Sequence, residues 1–390
     1  MIAYNRIDLD NGIIQEQADE ALAKNCMGPE ENTQIRVKYP VAFYTPDIYI
    51  RIGLFLLTVV IVIFSLGLLS LMMLSSTGEH GYGAVLVFYG LACYGMLEYM
   101  VYSKRHFRSG VDDALLWMAV SLIATGIAWS TYPTIGALMY CLVVFILTLY
   151  GSLRFANCIM SLVAYAALLG FVFNVAAELG PMGKTLLSFL VMAVSVATYF
   201  FSTSLHSNER FRHYGACLVL IRAASLLSFY LAGNYFVVRE LSISMLGLSQ
   251  EPGASIPLGW LFWILTVATP LFYIYRGIQK KDPVFLWAGL GLIAAAVFTI
   301  RHYYSVLPLE WALVIGGILL IAVSYTLIKY LRIPRYGFTS EEVDEQHLLA
   351  NLHIESLVIA ETFAPAASPA SNDFQFGGGS GGGGGAGGQY

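Results

Sequence analysis

Residues 52–74 read IGLFLLTVVIVIFSLGLLSLMML, and this stretch decides the fold class. It contains no charged side chain, and about 20 apolar residues in a helix suffice to cross about 30 Å of hydrocarbon. Similar apolar runs recur as far as residue 328. The chain has 57% hydrophobic and 12% charged residues, whereas a soluble domain has about 25% charged residues. A single water-soluble domain is therefore excluded.

Hydropathy windows of about 19 residues predict ten transmembrane helices. They are 52–74, 82–102, 114–131, 134–150, 155–177, 184–202, 214–238, 256–275, 284–301 and 309–329. We expect an all-α, polytopic helical membrane protein of about ten transmembrane helices.

The Lys and Arg residues predict the orientation of these helices, because such residues gather on the cytoplasmic side of a membrane protein. With the N-terminus inside, 17 of them lie on the cytoplasmic side and only Lys184, Arg239 and Arg301 on the other. If one helix had been missed, every later loop would be assigned to the wrong side, and the basic residues would not divide so unevenly. We therefore predict that both termini are cytoplasmic and that the loops near Gly78 and Pro252 are outside.

Four regions follow from this arrangement. They are a cytoplasmic helical hairpin region at 1–50, a transmembrane domain at 51–331, a cytoplasmic amphipathic helix at 332–363, and a disordered Ala/Pro/Ser then Gly-rich tail at 364–390.

The two cytoplasmic regions are the predicted binding surfaces for a protein partner. Residues 10–38 are expected to form two short helices, the second opening at Pro29. The helix at 340–359 has an apolar face but no Lys or Arg, so it suits a protein partner better than an anionic membrane surface. We expect the bilayer and a protein as partners.

Charge and cysteine patterns exclude other classes of partner and site. Residues 1–50 carry a net charge of −4, residues 51–335 carry +7 and residues 336–390 carry −7, so the bases lie in short loops between spans. Nucleic-acid binding needs a basic stripe on a soluble face, which this pattern does not provide. The five cysteines form no CxxC pair and the histidines no HExxH motif. We expect no metal site and no cofactor.

Ionisable residues inside the predicted spans are the sharpest functional signal, because a charge in hydrocarbon costs about 2.5–3.5 kcal/mol even on lenient scales. Glu98 and Arg222 qualify, and both lie in the inner half of the membrane. We expect them to pair with each other, with Asp112 and Asp113 as alternative partners. Snorkelling of Arg222 to the interface and a substrate or proton site remain alternatives.

One internal similarity suggests a repeat. Asp112-Asp-Ala-Leu-Leu-Trp117 and Asp282-Pro-Val-Phe-Leu-Trp287 each lead into a span running in the same predicted direction. A parallel duplication would explain this similarity. Ordinary spans that enter from a cytoplasmic loop with Asp at the border and Trp at the interface would also explain it, and we favour this explanation.

The polar stretch 1–50, the sequence Arg51-Ile-Gly53 opening the first span, and FRSGVDDALLW at 107–117 carry a resemblance. With these features the chain resembles uncharacterised bacterial polytopic inner-membrane proteins with a short cytoplasmic helical N-terminal region. The tail FGGGSGGGGGAGGQY at 376–390 is similar to the Gly-rich tails of bacterial TPM-domain membrane proteins. The resemblance implies a multi-pass protein of the bacterial inner membrane and carries over no catalytic residues.

From these features we expect a non-enzymatic scaffold or partner-binding subunit. The alternative is a secondary transporter of a small solute or ion that uses Glu98 and Arg222 inside the membrane. A membrane-embedded enzyme ranks third, because neither a nucleophile–base set nor a carboxylate–histidine metal set is evident. We therefore expect no catalytic residue.

Overall fold

The computed structural model describes residues 2–303, apart from Asn25, 74–78, 132–133, 247–257 and Lys281. It also describes the isolated positions 314, 317, 318, 321, 325 and 329. The tenth predicted span at 309–329, other than at those positions, and the predicted regions at 332–363 and 364–390 lie outside the described residues.

Within the described residues the protein is built from helices alone, and nine of them are long and apolar enough to cross a membrane. These are α3 (Ile48–Met73), α4 (Glu79–Lys104), α5 (Val111–Thr131), α6 (Ala137–Phe155), α7 (Cys158–Glu178), α8 (Gly180–His206), α9 (Gly215–Gly233), α11 (Gly259–Lys280) and α12 (Pro283–Tyr303). The prediction of an all-helical, polytopic membrane protein is confirmed.

Two further helices, α1 (Arg6–Ala23) and α2 (Pro29–Lys38), form a hairpin before the first span. Asn5 caps α1 by accepting the N–H of Ile7 at 3.0 Å, and Pro29 opens α2 as its position in the sequence predicts. Asp19 of α1 holds the hairpin closed, because its carboxylate accepts hydrogen bonds from Asn32 and Arg36 of α2.

Apolar side chains on the outside of the bundle mark the surface that faces lipid. On α3, Leu56 is 57% exposed and Phe64 is 70% exposed. A soluble protein would bury such a helix, whereas hydrocarbon solvates it. Among the nine spanning helices described, the most apolar one is therefore also the least buried against its neighbours.

Glycines let α4 and α5 approach closely. A Cβ atom at Gly126 would lie 2.7 Å from the carbonyl oxygen of Gly83, and one at Gly90 would lie 3.1 Å from that of Ala119. Small residues at such crossings are the usual means by which membrane helices gain van der Waals contact. This pair of helices forms the best-packed part of the bundle, around the fully buried Leu97.

The seventh predicted span, 214–238, is not one helix. It breaks at Asn234, where α9 ends and α10 (Tyr235–Leu246) begins. The buried Asn234 side chain caps α10 by accepting the N–H of Phe236 at 3.0 Å, and its amide donates to Thr299 at 3.0 Å. The predicted span is found, but its end is placed past Gly233, where the span of the structure ends, because hydropathy stays high across the break, while the Asn234 side chain satisfies the interrupted backbone.

Candidate functional site

The N-terminal segment packs on one end of the bundle, formed by the loops 105–110, 156–157 and 207–214, which we call the N-terminal face. The backbone N–H of Ala3 donates to the carbonyl of Arg154 at 2.8 Å. Asp10 of α1 forms an ion pair with Arg212, and Nε2 of His213 lies 3.3 Å from the same carboxylate. The N-terminal segment and α1 are therefore anchored to the end of α6 and to residues 212–213.

Asp112 lies at the centre of this face, and it is only 4% exposed. Its carboxylate accepts the backbone N–H groups of Arg108 at 2.8 Å and Ser109 at 2.9 Å. It also accepts the Ser109 hydroxyl at 3.1 Å and the Tyr4 hydroxyl at 3.4 Å. Burial of a carboxylate is tolerable only with such a full set of donors. Asp112 therefore fixes the loop and the N-terminal segment onto α5.

The backbone of that loop has a positive φ at three positions, and two of them are strained because they are not glycine. Arg105 and Arg108 have φ angles of 53° and 49°, a left-handed conformation that non-glycine residues seldom adopt. Gly110 has a φ of 89°, and a Cβ atom there would clash with the carbonyl oxygen of Arg51. The strain turns successive N–H groups towards Asp112, whose hydrogen bonds offset its cost.

Asp113 points the other way and joins three helices. It pairs with Arg51 of α3 at 2.6 Å and accepts the side-chain amide of Asn157 at 2.8 Å. Asn157 is also the N-cap of α7, where its oxygen accepts the N–H groups of Ile159 and Met160. One carboxylate thus ties the starts of α3, α5 and α7 together.

The side chain of Tyr4 fills the space between these loops. Its ring lies 4.8 Å from that of Phe107 and 6.4 Å from that of Phe155, in edge-on geometry. Burial raises the pKa of Tyr4 well above 10.0, and the nearby charge of Asp112 raises it further. The phenol therefore stays protonated at every physiological pH and keeps donating to that carboxylate.

Glu98 does not pair with Arg222, so the predicted pairing is wrong. Its carboxylate binds Arg154 at the end of α6, at 2.9 Å, and also accepts the hydroxyl of Tyr94. The sequence places Arg154 in a cytoplasmic loop, but the structure places it in the last turn of α6, facing α4. Similar depth in the membrane did not make Glu98 and Arg222 neighbours.

Arg222 instead pairs with Asp282, the residue before α12. The two side chains are only 10% and 17% exposed, and this is the most buried ion pair among the described residues. The guanidinium also lies over the ring of Tyr199, 5.8 Å from its centroid. The pair ties α9 to the start of α12.

The two most buried Arg–Asp pairs among the described residues each join one helix to the start of another. Arg51 near the start of α3 pairs with Asp113 at the start of α5. Arg222, about two turns into α9, pairs with Asp282, the residue before α12. In the two similar stretches of sequence Asp112 aligns with Asp282, but it is Asp113 that pairs with Arg51, so the two ion pairs do not correspond residue by residue.

An open cavity of about 690 Å³ lies beside the polar cluster, between the starts of α3, α5, α7 and α9. Its wall is mostly apolar and aromatic, with Phe55, Trp117 and Phe155 among the residues that line it. The polar groups on the wall include Arg108, Asp113 and Cys158. A cavity of this size and character can hold a small organic molecule. Sequence reasoning missed it because its walls come from six separate helices and the loops beside them.

Glu98 and Arg222 do not line the three cavities described among these residues. Neither side chain lines the 690 Å³ cavity, the 490 Å³ cavity near Arg6 and Tyr214, or the 320 Å³ cavity near Tyr89. In the region the structure covers, no group of three or more His, Cys, Asp or Glu side chains could hold a metal ion. The charges of the face are arranged to hold helices together.

Comparison with known proteins found no match: no family model, no curated protein and no solved structure is similar to this chain.

Proposed function

We propose that the chain is a non-enzymatic scaffold or partner-binding subunit of the bacterial inner membrane. In this proposal ten helices span the membrane and both termini are cytoplasmic. The N-terminal face is the cytoplasmic face, and residues 10–38 and 340–359 supply the surface for a protein partner. The latter range lies outside the described residues.

The observation that carries the proposal is the use of the intramembrane charges. Glu98, Asp113 and Arg222 each have an ion-pair partner on another element of the same chain. Asp112 has four hydrogen-bond donors. A transport or proton site needs a charge that can exchange partners with its substrate. Charges already engaged within the bundle fit a structural role better.

Basic residues support the proposed orientation. Lys104, Arg105, Arg108, Arg210 and Arg212 lie at the N-terminal face, in or beside its loops. The positive-inside tendency places such a face towards the cytoplasm.

The outer surface of α2 is the proposed contact for a partner. Val37 is 77% exposed, between the charged side chains of Arg36 and Lys38.

Site-specific photocrosslinking in cells tests the proposal. We expect a photoreactive residue at Val37 to form one discrete protein adduct. The matched control is Phe64 on α3, which is 70% exposed but faces lipid; it should form no such adduct. A Val37 pattern identical to that of Phe64 would contradict the proposal.

One observation favours secondary transport as a second candidate. The break at Asn234 places non-helical backbone at the end of the span that contains α9, beside the buried hydroxyls of Tyr230 and Thr299, and broken helices often form transporter sites. Proton or sodium flux into proteoliposomes decides between the two. Flux lost in Asn234→Ala but kept in the α1 control Asn11→Ala would favour transport, whereas wild-type flux equal to that of protein-free liposomes would favour the scaffold.

A further inference from the structure

Two of the five cysteines lie side by side although 59 residues separate them in sequence. The Sγ atoms of Cys158 and Cys217 are 3.5 Å apart, where the first turns of α7 and α9 meet at the N-terminal face. The other three cysteines lie elsewhere: Cys26 is exposed in the N-terminal hairpin, Cys93 is buried in α4, and Cys141 contacts the amide of Asn174 at 3.6 Å.

The two thiols have different access to solvent. Cys158 is the first residue of α7 and lines the 690 Å³ cavity, as does Arg108. Cys217 is 3% exposed and donates its S–H to the carbonyl of Ala156 at 3.3 Å. Reactive protein thiols occur at helix N-termini and beside cations, and redox sites pair an accessible thiol with a resolving one.

We propose that Cys158 and Cys217 are a dithiol site that undergoes reversible exchange with a small disulfide entering through the cavity. Cys158 is the attacking thiol and Cys217 the resolving thiol. The site is independent of the proposed scaffold role, because it requires only the arrangement of α7, α9 and the cavity.

The exchange takes two steps. The Cys158 thiolate attacks one sulfur of the small disulfide, whose S–S bond breaks, and the departing thiolate takes up the proton that Cys158 released. The Cys217 thiolate then attacks the Cys158 sulfur of this mixed disulfide and expels the second small thiolate, which is protonated in turn. Two cysteines are oxidised by two electrons, and one small disulfide becomes two thiols.

The second step requires the two sulfur atoms to move together and one hydrogen bond to break. The sulfurs must close from 3.5 Å to the roughly 2.05 Å of a disulfide bond. Cys217 must also release the carbonyl of Ala156, a residue with a left-handed φ of 48°. Oxidation would thus tie the start of α7 to that of α9 and alter the cavity wall. In a reducing compartment such a bond forms transiently.

Thiol counting on the full-length chain in lipid nanodiscs tests this proposal. A Cys26→Ser background removes the exposed lone thiol and leaves four cysteines. After incubation with glutathione disulfide, mass-tagged maleimide added in denaturant should count two free thiols. A reductant should restore all four, and peptide mapping should join Cys158 to Cys217. Four tags after oxidation, or a link between different chains, would overturn the proposal.

Single variants assign the two roles. Cys217→Ser should accumulate glutathione on Cys158, whereas Cys158→Ser should leave Cys217 almost unmodified. The control Cys141→Ser should behave as its parent does, because Cys141 lies outside the pair. Equal modification of Cys158 and Cys217 in the two variants would contradict the assignment. The count on the parent chain needs no variant at the pair and so decides even if a variant misfolds.

Discussion

The strongest energetic prediction concerns the buried pair Arg222–Asp282. Removing either partner leaves the other charge uncompensated in a site where the side chains are only 10% and 17% exposed. We expect Arg222→Gln or Asp282→Asn alone to lower the free energy of unfolding by about 3–5 kcal/mol. The double variant should cost less than the sum of the two, with a coupling energy of about 2–3 kcal/mol.

Two other ion pairs calibrate this value because they differ in burial. The Glu98–Arg154 side chains are 29% and 33% exposed, and the Asp19–Arg36 side chains are 44% and 52% exposed. Coupling should fall with exposure, to about 1 kcal/mol for the first and about 0.5 kcal/mol or less for the second.

Reversible unfolding in mixed micelles of increasing SDS fraction measures all three double-mutant cycles. A fourth cycle, between Glu98 and Arg222, should be additive within about 0.5 kcal/mol, because these residues have separate partners. Additivity of Arg222 with Asp282, or strong coupling of Glu98 with Arg222, would contradict these ion-pair assignments.

Three further predictions concern local features of the N-terminal region and face. Gly110→Ala should destabilise the chain by about 1–3 kcal/mol from its φ of 89° alone, whereas Gly12→Ala, with no atom within 4 Å of the new Cβ, should not destabilise it; thermal unfolding in detergent compares the two. Partial burial raises the pKa of Asp19, but hydrogen bonds from the hairpin outweigh it and hold the pKa below 3.8. The ionised Asp19 carboxylate therefore contributes its full stabilisation above pH 3.8, and this contribution is lost as the pH falls through the lowered pKa. An NMR titration should show the midpoint of Asp19 return towards 3.8 in Arg36→Gln. Tyr4→Phe should lower the free energy of unfolding by about 1 kcal/mol, because the buried carboxylate of Asp112 loses one hydrogen-bond donor. An unchanged midpoint of thermal unfolding would contradict the stabilising role of that hydrogen bond.

The architecture of the bundle was largely predictable because each transmembrane span can be recognised from its own stretch of sequence. Each must hide its backbone in a helix and show lipid an apolar surface, so length and hydropathy alone locate it. The break at Asn234 was not predicted, because it changes the backbone conformation without changing the hydropathy of the sequence. The only local sign was a Gly–Asn pair, Gly233-Asn234, which suits a helix end followed by a cap.

The site was predictable in its residues but not in its pairings. Burial cost singled out Glu98 and Arg222, and both are engaged in ion pairs. Which helices are neighbours is a tertiary property, so Arg154 and Asp282 could not be identified as partners. The same holds for Cys158 and Cys217, since a search for CxxC spacing detects only pairs on one local segment.

Labelling of the native Cys26 tests the proposed cytoplasmic orientation of the N-terminal face most directly. Cys26 is exposed in the hairpin that packs on that face. A membrane-impermeant maleimide should label it only after cells are permeabilised. In a Cys26→Ser background, the Gly78→Cys variant should be labelled in intact cells. Labelling of Cys26 in intact cells, with protection of the Gly78→Cys variant, would contradict the account.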